Sequence, residues 1–300
     1  RELKLDRPLY QHQETAMLKA DKGENLVVTT GTGSGKTESF LLPIINHLLR
    51  EQEAGTLSAG VRAIIIYPMN ALANDQMKRM RALFKNYPQI CYGVYNGNTE
   101  HTQSKALAEY HRTYHDEAGE PIDPAPNEII SREVMQEKPP HILITNYSML
   151  EYMLLRPRER KIWSDTREWL ASSKENKLLF VIDEAHMYRG SSGGEVSLLI
   201  RRLFHKLGIG RDRVQFILTT ASMPNQSLSD REAVMTFANE LTASDEKTEF
   251  RYLKGRQEII DNNAKYDIPA DLLLHSDPGK FENRDLSALL DFWKNAGHFD

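Results

Sequence analysis

Short apolar runs and helical stripes alternate along the first 225 residues of this 300-residue chain. Two of the apolar runs, residues 63–66 and residues 178–182, have almost no polar position. Strands that are apolar on both faces belong in the middle of a parallel sheet covered by helices. In all, six strands are predicted, at residues 25–30, 62–67, 91–95, 141–145, 178–182 and 214–219.

Helical patterns lie between these strands. Residues 38–50 carry apolar side chains at the i, i+3, i+4 spacing of one helix face, and residues 71–84 and 194–205 show the same pattern. Strands alternating with helices of this length predict a doubly wound α/β fold, a mostly parallel sheet flanked by helices. Residues 98–140 break the rhythm, because they are polar and contain several prolines; they predict a surface helix, a loop and a short helix.

The charge changes near residue 225. Residues 226–300 carry 9 basic and 15 acidic side chains, whereas residues 1–225 carry 29 and 27. This shift predicts a first domain over residues 1–224 and an acidic region over residues 225–300. Within the acidic region we expect a helix over 230–241, a strand near 250–253 and a helix over 284–295.

Composition narrows the class of protein. A hydrophobic content of 40% supports a packed core. The single cysteine, Cys91, excludes a disulfide framework and a zinc site built on several thiolates, and it is consistent with the cytoplasm. No apolar run is long enough for a membrane span, so we expect no membrane partner. The chain begins without Met, so we expect a piece of a longer protein.

A net charge of −4 argues against binding nucleic acid by bulk charge alone, but it leaves room for a local basic groove.

A glycine-rich loop follows the first predicted strand. Its residues are Gly31, Thr32, Gly33, Ser34, Gly35, Lys36 and Thr37, and a predicted helix comes next. Glycines let such a loop turn tightly, so that backbone N–H groups and the helix N-terminus point at phosphate oxygens. Lys36 then reaches the β- and γ-phosphates of ATP, and the Thr37 hydroxyl can ligate Mg²⁺. The strict pattern has glycine at position 30, where this chain has Thr30.

Carboxylates follow the apolar strand at residues 178–182. The sequence there reads Asp183-Glu184-Ala185-His186. Residues at the carboxyl end of a central parallel strand lie beside the phosphate loop. Asp183 is therefore predicted to hold Mg²⁺, Glu184 to orient and activate the attacking water, and His186 to sense the γ-phosphate.

Several motifs in this order resemble the DEAD/DEAH-box-like helicases of superfamily 2, whose motor domains are RecA-like. Gln13 resembles the glutamine that reads adenine. The motif at residues 68–73 resembles one that grips the nucleic-acid backbone, and Thr220-Ala221-Ser222 resembles the motif that couples hydrolysis to unwinding. The resemblance implies nucleic-acid contacts at Pro68, Asn70, Asn98, Thr99, Thr145 and Asn146, and coupling through Thr220 and Ser222.

Three further stretches, at residues 67–76, 145–154 and 188–190, resemble large bacterial helicases of the Lhr and YprA type. This implies a first motor domain that binds ATP, Mg²⁺ and single-stranded nucleic acid, with DNA favoured over RNA. The implied partners are a second RecA-like domain of the same chain and a larger defence or repair complex. Residues 225–300 are then expected to be an acidic connection and either the start of that second domain or an insertion in it. That second domain supplies arginine fingers in a Q-x-x-G-R-x-x-R motif, which this sequence lacks. Since such a finger contributes about 10³–10⁵ in rate, we expect the chain alone to hydrolyse ATP poorly.

Other interpretations remain open. The protein could be a nucleic-acid clamp that uses ATP only as a switch, although Glu184 argues against a dead ATPase. A small-molecule kinase would leave the motifs around Pro68 and Thr145 unexplained. Asn146 could equally cap a helix. His111 and His115 have the i, i+4 spacing of metal ligands, but a solvated helix face explains them better.

Overall fold

Eight strands and nine helices are found in the described part of a computed structural model, which covers residues 9–31, 35–68, 70–221, 228–244 and 248–255. The strands are β1 (Asn25–Thr29), β2 (Ala63–Ile66), β3 (Tyr92–Tyr95), β4 (Glu128–Ile129), β5 (Ile142–Thr145), β6 (Leu178–Ile182), β7 (Val214–Thr220) and β8 (Phe250–Lys254). The helices are α1 (Gln11–Asp21), α2 (Glu38–Glu53), α3 (Asn70–Phe84), α4 (Gln103–Thr113), α5 (Arg132–Glu137), α6 (Tyr147–Leu155), α7 (Arg160–Ser172), α8 (Ser191–Leu207) and α9 (Leu228–Leu241).

All the strands belong to one sheet, in the order β4-β3-β5-β2-β6-β7-β1-β8, and every pairing is parallel. The predicted α/β fold is confirmed, and each of the six predicted strands is present. The strands with the most continuous apolar sequence, β2 and β6, lie side by side in the middle of the sheet. Apolar residues on both faces are required there because helices cover both faces.

The pleat of the sheet divides the core into two layers. Along β2, Ile64 and Ile66 pack into the layer that contains side chains of α6 to α9, whereas Ile65 packs into the layer beneath α1, α2 and α3. Phe40 on α2 is fully buried in the second layer, as its helical spacing predicts. Burying a side chain of this size contributes about 1.5–3 kcal/mol, so these two layers dominate the stability of the fold.

Local sequence sets the ends of several helices. The Ser131 hydroxyl accepts a hydrogen bond from the Val134 amide at the start of α5, and α8 ends at Gly208, whose φ of +67° lies in the left-handed region. A serine cap satisfies an amide that has no partner within the helix, and glycine adopts the left-handed conformation without steric cost. None of the helices in the described ranges combines the length and apolar character needed to cross a membrane.

At the edges of the sheet, the predicted helix over 230–241 and the predicted strand near 250–253 are present as α9 and β8, whereas β4 is a strand that the sequence did not predict. At one edge, β4 is a two-residue strand inside the segment 98–140, too short for a sequence pattern to reveal. At the other edge, β8 pairs with β1 along its whole length, and α9 packs between α8 and β8. The described residues all belong to a compact unit that ends at Arg256. The division at residue 224 stays a prediction, and the predicted helix over 284–295 lies outside the described residues.

The buried side chain of His141 makes the stability of the fold sensitive to acid. The Nδ1 atom of His141 accepts a hydrogen bond of 3.0 Å from the Cys91 amide, so the ring is an acceptor at this nitrogen. Burial, and then the positive charge of Arg62, lower the pKa of His141 to about 4 from its ordinary value of 6.5. The folded state therefore takes up its proton at lower pH than the unfolded chain does.

We expect the fold to lose stability as the pH falls from 6.5 towards 4, because only the unfolded chain binds the proton in that window. His141→Asn keeps an acceptor near Nδ1 without a titrating ring. The variant should be less stable than the wild type at neutral pH. At about pH 5 this difference in the free energy of unfolding should shrink or reverse, because the wild type alone has lost up to about 2 kcal/mol. Urea unfolding at both pH values measures the effect; parallel pH dependence in the two proteins would contradict it.

Candidate functional site

Gln13 is hydrogen-bonded to the phosphate loop. Its amide nitrogen donates a 3.0 Å hydrogen bond to the Gly35 carbonyl, and its amide oxygen accepts one of 2.9 Å from the Tyr10 backbone. Gly35 has a φ of +78°, and a Cβ atom there would lie 2.3 Å from the Gln13 nitrogen. The positive φ is the stronger reason for glycine here, because the Gln13 side chain could shift but the backbone conformation could not. The structure places Gln13 against the loop; its predicted contact with adenine stays a prediction, and Thr32, Gly33 and Ser34 lie outside the described residues.

The loop and the acidic motif meet in a short ion pair. The Nζ atom of Lys36 lies 2.6 Å from Oε1 of Glu184, although the two residues are 148 positions apart in the chain. Both side chains are mostly buried, with 11% of Lys36 and 21% of Glu184 exposed. Glu184 reaches this place with a φ of 50°, which is uncommon for a residue other than glycine and marks a sharp turn directly after β6.

Asp183 is the buried acid of the site. One of its carboxylate oxygens accepts hydrogen bonds from the Thr219 hydroxyl and, at 3.1 Å, from the Glu184 amide. Thr219 stands beside it because β6 and β7 pair with Ile182 opposite Leu218. Burial is the largest influence on Asp183 and raises its pKa above the ordinary value, while the Thr219 hydrogen bond opposes that rise.

Thr219 is a site residue that the motifs did not reveal. Its signal in the sequence is a hydroxyl at the end of an apolar strand, one position before the Thr220 motif. Only the pairing of β6 with β7 shows that this hydroxyl faces a carboxylate.

His186 links the acidic motif to Thr220, the last residue of β7. Its Nδ1 atom lies 3.1 Å from the Thr220 hydroxyl and 3.3 Å from Oε2 of Glu184. The Thr220 carbonyl accepts a hydrogen bond of 3.2 Å from the Thr30 amide, at the start of the phosphate loop. Thr220 therefore touches both the loop and the acidic motif, while Ser222 lies outside the described residues.

The residues present fit a nucleotide with Mg²⁺. Lys36 and Thr37 stand where α2 begins, Lys36 contacts Glu184, and the positive charge of Lys36 also acts on the Asp183 carboxylate. Hydroxyl and carboxylate oxygens are ligands that Mg²⁺ prefers, and the positive end of a helix favours phosphate. In the described ranges, no cluster of three or more His, Cys, Asp or Glu side chains suggests another metal site; His111 contacts Asp123 at 2.7 Å.

The predicted nucleic-acid residues share the same edge of the sheet. Pro68 follows β2, Asn98 and Thr99 follow β3, and Thr145 and Asn146 end and follow β5. Since all the strands are parallel, these positions lie at the carboxyl ends of the strands. We call this border of the sheet, which also holds Lys36 and Asp183, the rim. Asn70 begins α3, and its side chain is outside the description.

Several of these side chains hold the loops in shape. The Thr145 hydroxyl donates to the Tyr95 carbonyl at 2.6 Å, and the Thr99 hydroxyl donates to the Val94 carbonyl at 2.8 Å. The Asn146 side chain caps α6 by accepting from the Met149 amide at 2.8 Å, so its capping role is present. Asn98 differs because it is exposed.

The loop after β3 rests on an arginine that no motif predicted. Arg132 is 7% exposed, and its guanidinium donates a 2.8 Å hydrogen bond to the Asn96 carbonyl. Its backbone amide donates to the Glu100 carbonyl at 2.9 Å. The polar segment 98–140 thus folds back to support the loop that precedes it. No periodicity marks Arg132, because its role comes from contacts across an irregular segment.

Comparison with known proteins gives one family. The model for the DEAD/DEAH box helicase family matches residues 10–118 and 119–230. The Druantia protein DruE of Escherichia coli strain UMEA 4076-1 is 36% identical over 83% of this chain, and the uncharacterized ATP-dependent helicase YprA of Bacillus subtilis strain 168 is 32% identical over 72%. The chain spans 18% of DruE and 23% of YprA.

Among solved structures, the DUF1998 helicase MrfA bound to DNA superposes with a TM-score of 0.56. It is 24% identical, over 82% of this chain and 27% of its own. At this identity the likeness supports the fold.

Asp183→Asn should stabilise the nucleotide-free protein by about 1 kcal/mol, because it removes a buried charge and keeps an oxygen that accepts from Thr219. The same change should abolish hydrolysis if Asp183 holds the metal. Thermal unfolding measures the first effect, and ATPase assays measure the second. A destabilised Asp183→Asn variant would show that the carboxylate charge is needed for folding.

Proposed function

Because this chain belongs to the DEAD/DEAH box helicase family, we propose that it is the first motor domain of an ATP-driven nucleic-acid helicase or translocase. The observation that carries the proposal is the contact of Lys36 with Glu184, which brings the phosphate loop and the acidic motif into one site. A phosphate loop alone would suit many ATP-binding proteins. A phosphate loop with an acid at hydrogen-bonding distance suits hydrolysis.

In the proposed reaction, Lys36 exchanges the Glu184 carboxylate for the β- and γ-phosphates of ATP. This exchange frees Glu184 to orient a water molecule and to accept its proton. Thr37 and Asp183 would hold Mg²⁺, which when bound neutralises charge on the phosphates. His186 lies between Glu184 and Thr220, so it is placed to pass the state of the γ-phosphate to β7.

Nucleic acid would bind along the rest of the rim, over the loops that follow β2, β3 and β5. Backbone amides and small polar side chains there suit a sugar–phosphate backbone, so binding would be largely independent of sequence and would weaken with salt. We propose DNA rather than RNA because the resemblance is to the Lhr and YprA type.

The proposed partners follow from the family. A second RecA-like domain would close over the ATP and supply the arginine fingers. A larger defence or repair complex and a cytoplasmic location belong to the same proposal.

The second candidate, an ATP-switched clamp without unwinding activity, would use the same ATP and nucleic-acid sites. Glu184 favours a hydrolysing motor over it. Strand displacement by the full-length protein separates the two functions, because a clamp would bind the duplex without opening it.

Lys36→Ala should abolish ATP binding in the full-length protein, because it removes the charge that reaches the phosphates.

Glu184→Gln should slow turnover by about 10² or more, the scale for losing a general base. It should also tighten ATP binding about two- to fivefold, because Lys36 no longer has to leave an ion pair, which is worth up to about 1 kcal/mol. Equilibrium nucleotide binding and steady-state ATPase assays measure both effects.

Glu151→Gln is the matched control, because it removes a second 2.6 Å ion pair, with Arg202, outside the site. It should leave ATP binding and turnover unchanged. ATP binding that survives Lys36→Ala would refute the proposed site.

Asn98→Asp should weaken single-stranded DNA binding several-fold at low salt, because it places a negative charge beside phosphates on the proposed rim. Asn86→Asp makes the same change at an exposed position that precedes β3, at the opposite edge of the sheet, and should have no effect. Fluorescence anisotropy of a labelled single strand measures both variants, and ATP affinity should be equal in all three proteins. Equal DNA affinity for Asn98→Asp and Asn86→Asp would place the strand elsewhere.

A further inference from the structure

The last described residue, Gly255, lies against Thr30, the residue just before the phosphate loop. Strand β8 runs alongside β1, and the Gly255 amide donates a hydrogen bond of 2.9 Å to the Thr29 carbonyl. The Thr29 hydroxyl also bonds to the Tyr252 hydroxyl at 2.8 Å, so the two strands are joined by side chains as well. The chain at Gly255 is thereby held beside Thr30.

This contact leaves no room for a side chain at residue 255. A Cβ atom on Gly255 would lie 2.5 Å from Cγ2 of Thr30, 2.9 Å from its Cβ and 3.4 Å from its Cα. The φ of Gly255 is outside the left-handed region, so its backbone conformation is open to any residue. Glycine is required here by the approach of Thr30 alone.

Thr30 has little freedom to move away. It is 5% exposed, and its amide donates to the Thr220 carbonyl at 3.2 Å. Its side chain branches at Cβ, so a rotation could move Cγ2 but would leave Cβ where it is. The Thr30 hydroxyl is buried and has no hydrogen-bond partner in the described part of the chain. Thr30 therefore acts on its surroundings through the bulk of its side chain, whose Cβ and Cγ2 atoms face Gly255.

We propose that Gly255 is a positioning residue for the phosphate loop and that it acts through Thr30. The strict loop pattern has glycine at position 30, and here the bulk of Thr30 is accommodated by a glycine on the neighbouring strand. The end of β8 thus sets where the loop begins. This inference rests on the proposed function, because it concerns the same ATP site.

A double-mutant cycle in the full-length protein tests the proposal. Gly255→Ala should weaken the binding of ATP carrying a fluorescent methylanthraniloyl group by about tenfold, since overpacking displaces Thr30. Thr30→Gly in the same chain should return the affinity to within about twofold of wild type, because it removes both close contacts. Thr30→Gly alone should bind within about threefold of wild type. Equilibrium titration with Mg²⁺ measures the affinities, and thermal unfolding measures the stability of each variant.

Gly93→Ala is the matched control. Gly93 also lacks a positive φ, and its Cβ would lie 2.6 Å from the Ile129 carbonyl oxygen, but it lies on β3, far along the sheet from β1. It should lower the unfolding temperature and leave nucleotide affinity unchanged. Equal losses of affinity in Gly93→Ala and Gly255→Ala would mean that general destabilisation explains both, and would overturn the proposal.

Two further outcomes decide against the inference. Wild-type affinity in Gly255→Ala would show that the contact does not position the loop. A Gly255→Ala defect that Thr30→Gly fails to repair, in folding or in binding, would show that it does not act through Thr30. In either case, loss of binding in Lys36→Ala would leave the proposed function intact, whereas a wild-type protein that binds no nucleotide would remove both.

Discussion

The alignment of three neighbouring strand ends is the constraint on which the site depends. Strands β6, β7 and β1 pair in parallel, with Ile182 opposite Leu218 and Thr29 opposite Thr220. Residues that follow these strands must therefore meet at one edge, wherever they lie in the chain. The register places the Thr219 hydroxyl on Asp183, brings Lys36 to Glu184 and ties the start of the phosphate loop to Thr220. Strands β6 and β7 are fully buried, so a slip between them would leave backbone N–H and C=O groups without partners away from water.

The chemistry of the site works against the stability of the fold around it. Burial disfavours the charged form of Asp183, and Glu184 turns through a backbone conformation that residues other than glycine seldom adopt. Both features are tolerated because the surrounding strands are fully buried and their hydrogen bonds are made. The Lys36–Glu184 pair partly offsets the burial of its two charges, and it is also the contact that a phosphate would have to replace.

In the rest of the rim, polar and charged side chains mainly fix the conformation of the loops by bonding to their backbone. Hydroxyl groups of Thr99 and Thr145 are used inside the protein, and Asn146 caps a helix. Arg132 directs its guanidinium at loop carbonyls, so its charge organises the backbone. A protein with a net charge of −4 that arranges its loops in this way would meet a nucleic-acid backbone mainly through oriented amides and small side chains.

The sequence by itself determined the fold class, the six main strands and the phosphate loop with its acidic partner, because hydrophobic period and glycine placement are local properties of the chain. It could not show β4, which is too short to have a period, or the pairing of β8 with β1. Thr219, Arg132 and the approach of Gly255 to Thr30 were also hidden, because each depends on a partner distant in sequence. A motif records which groups a chain carries, whereas the register of parallel strands decides which of them touch.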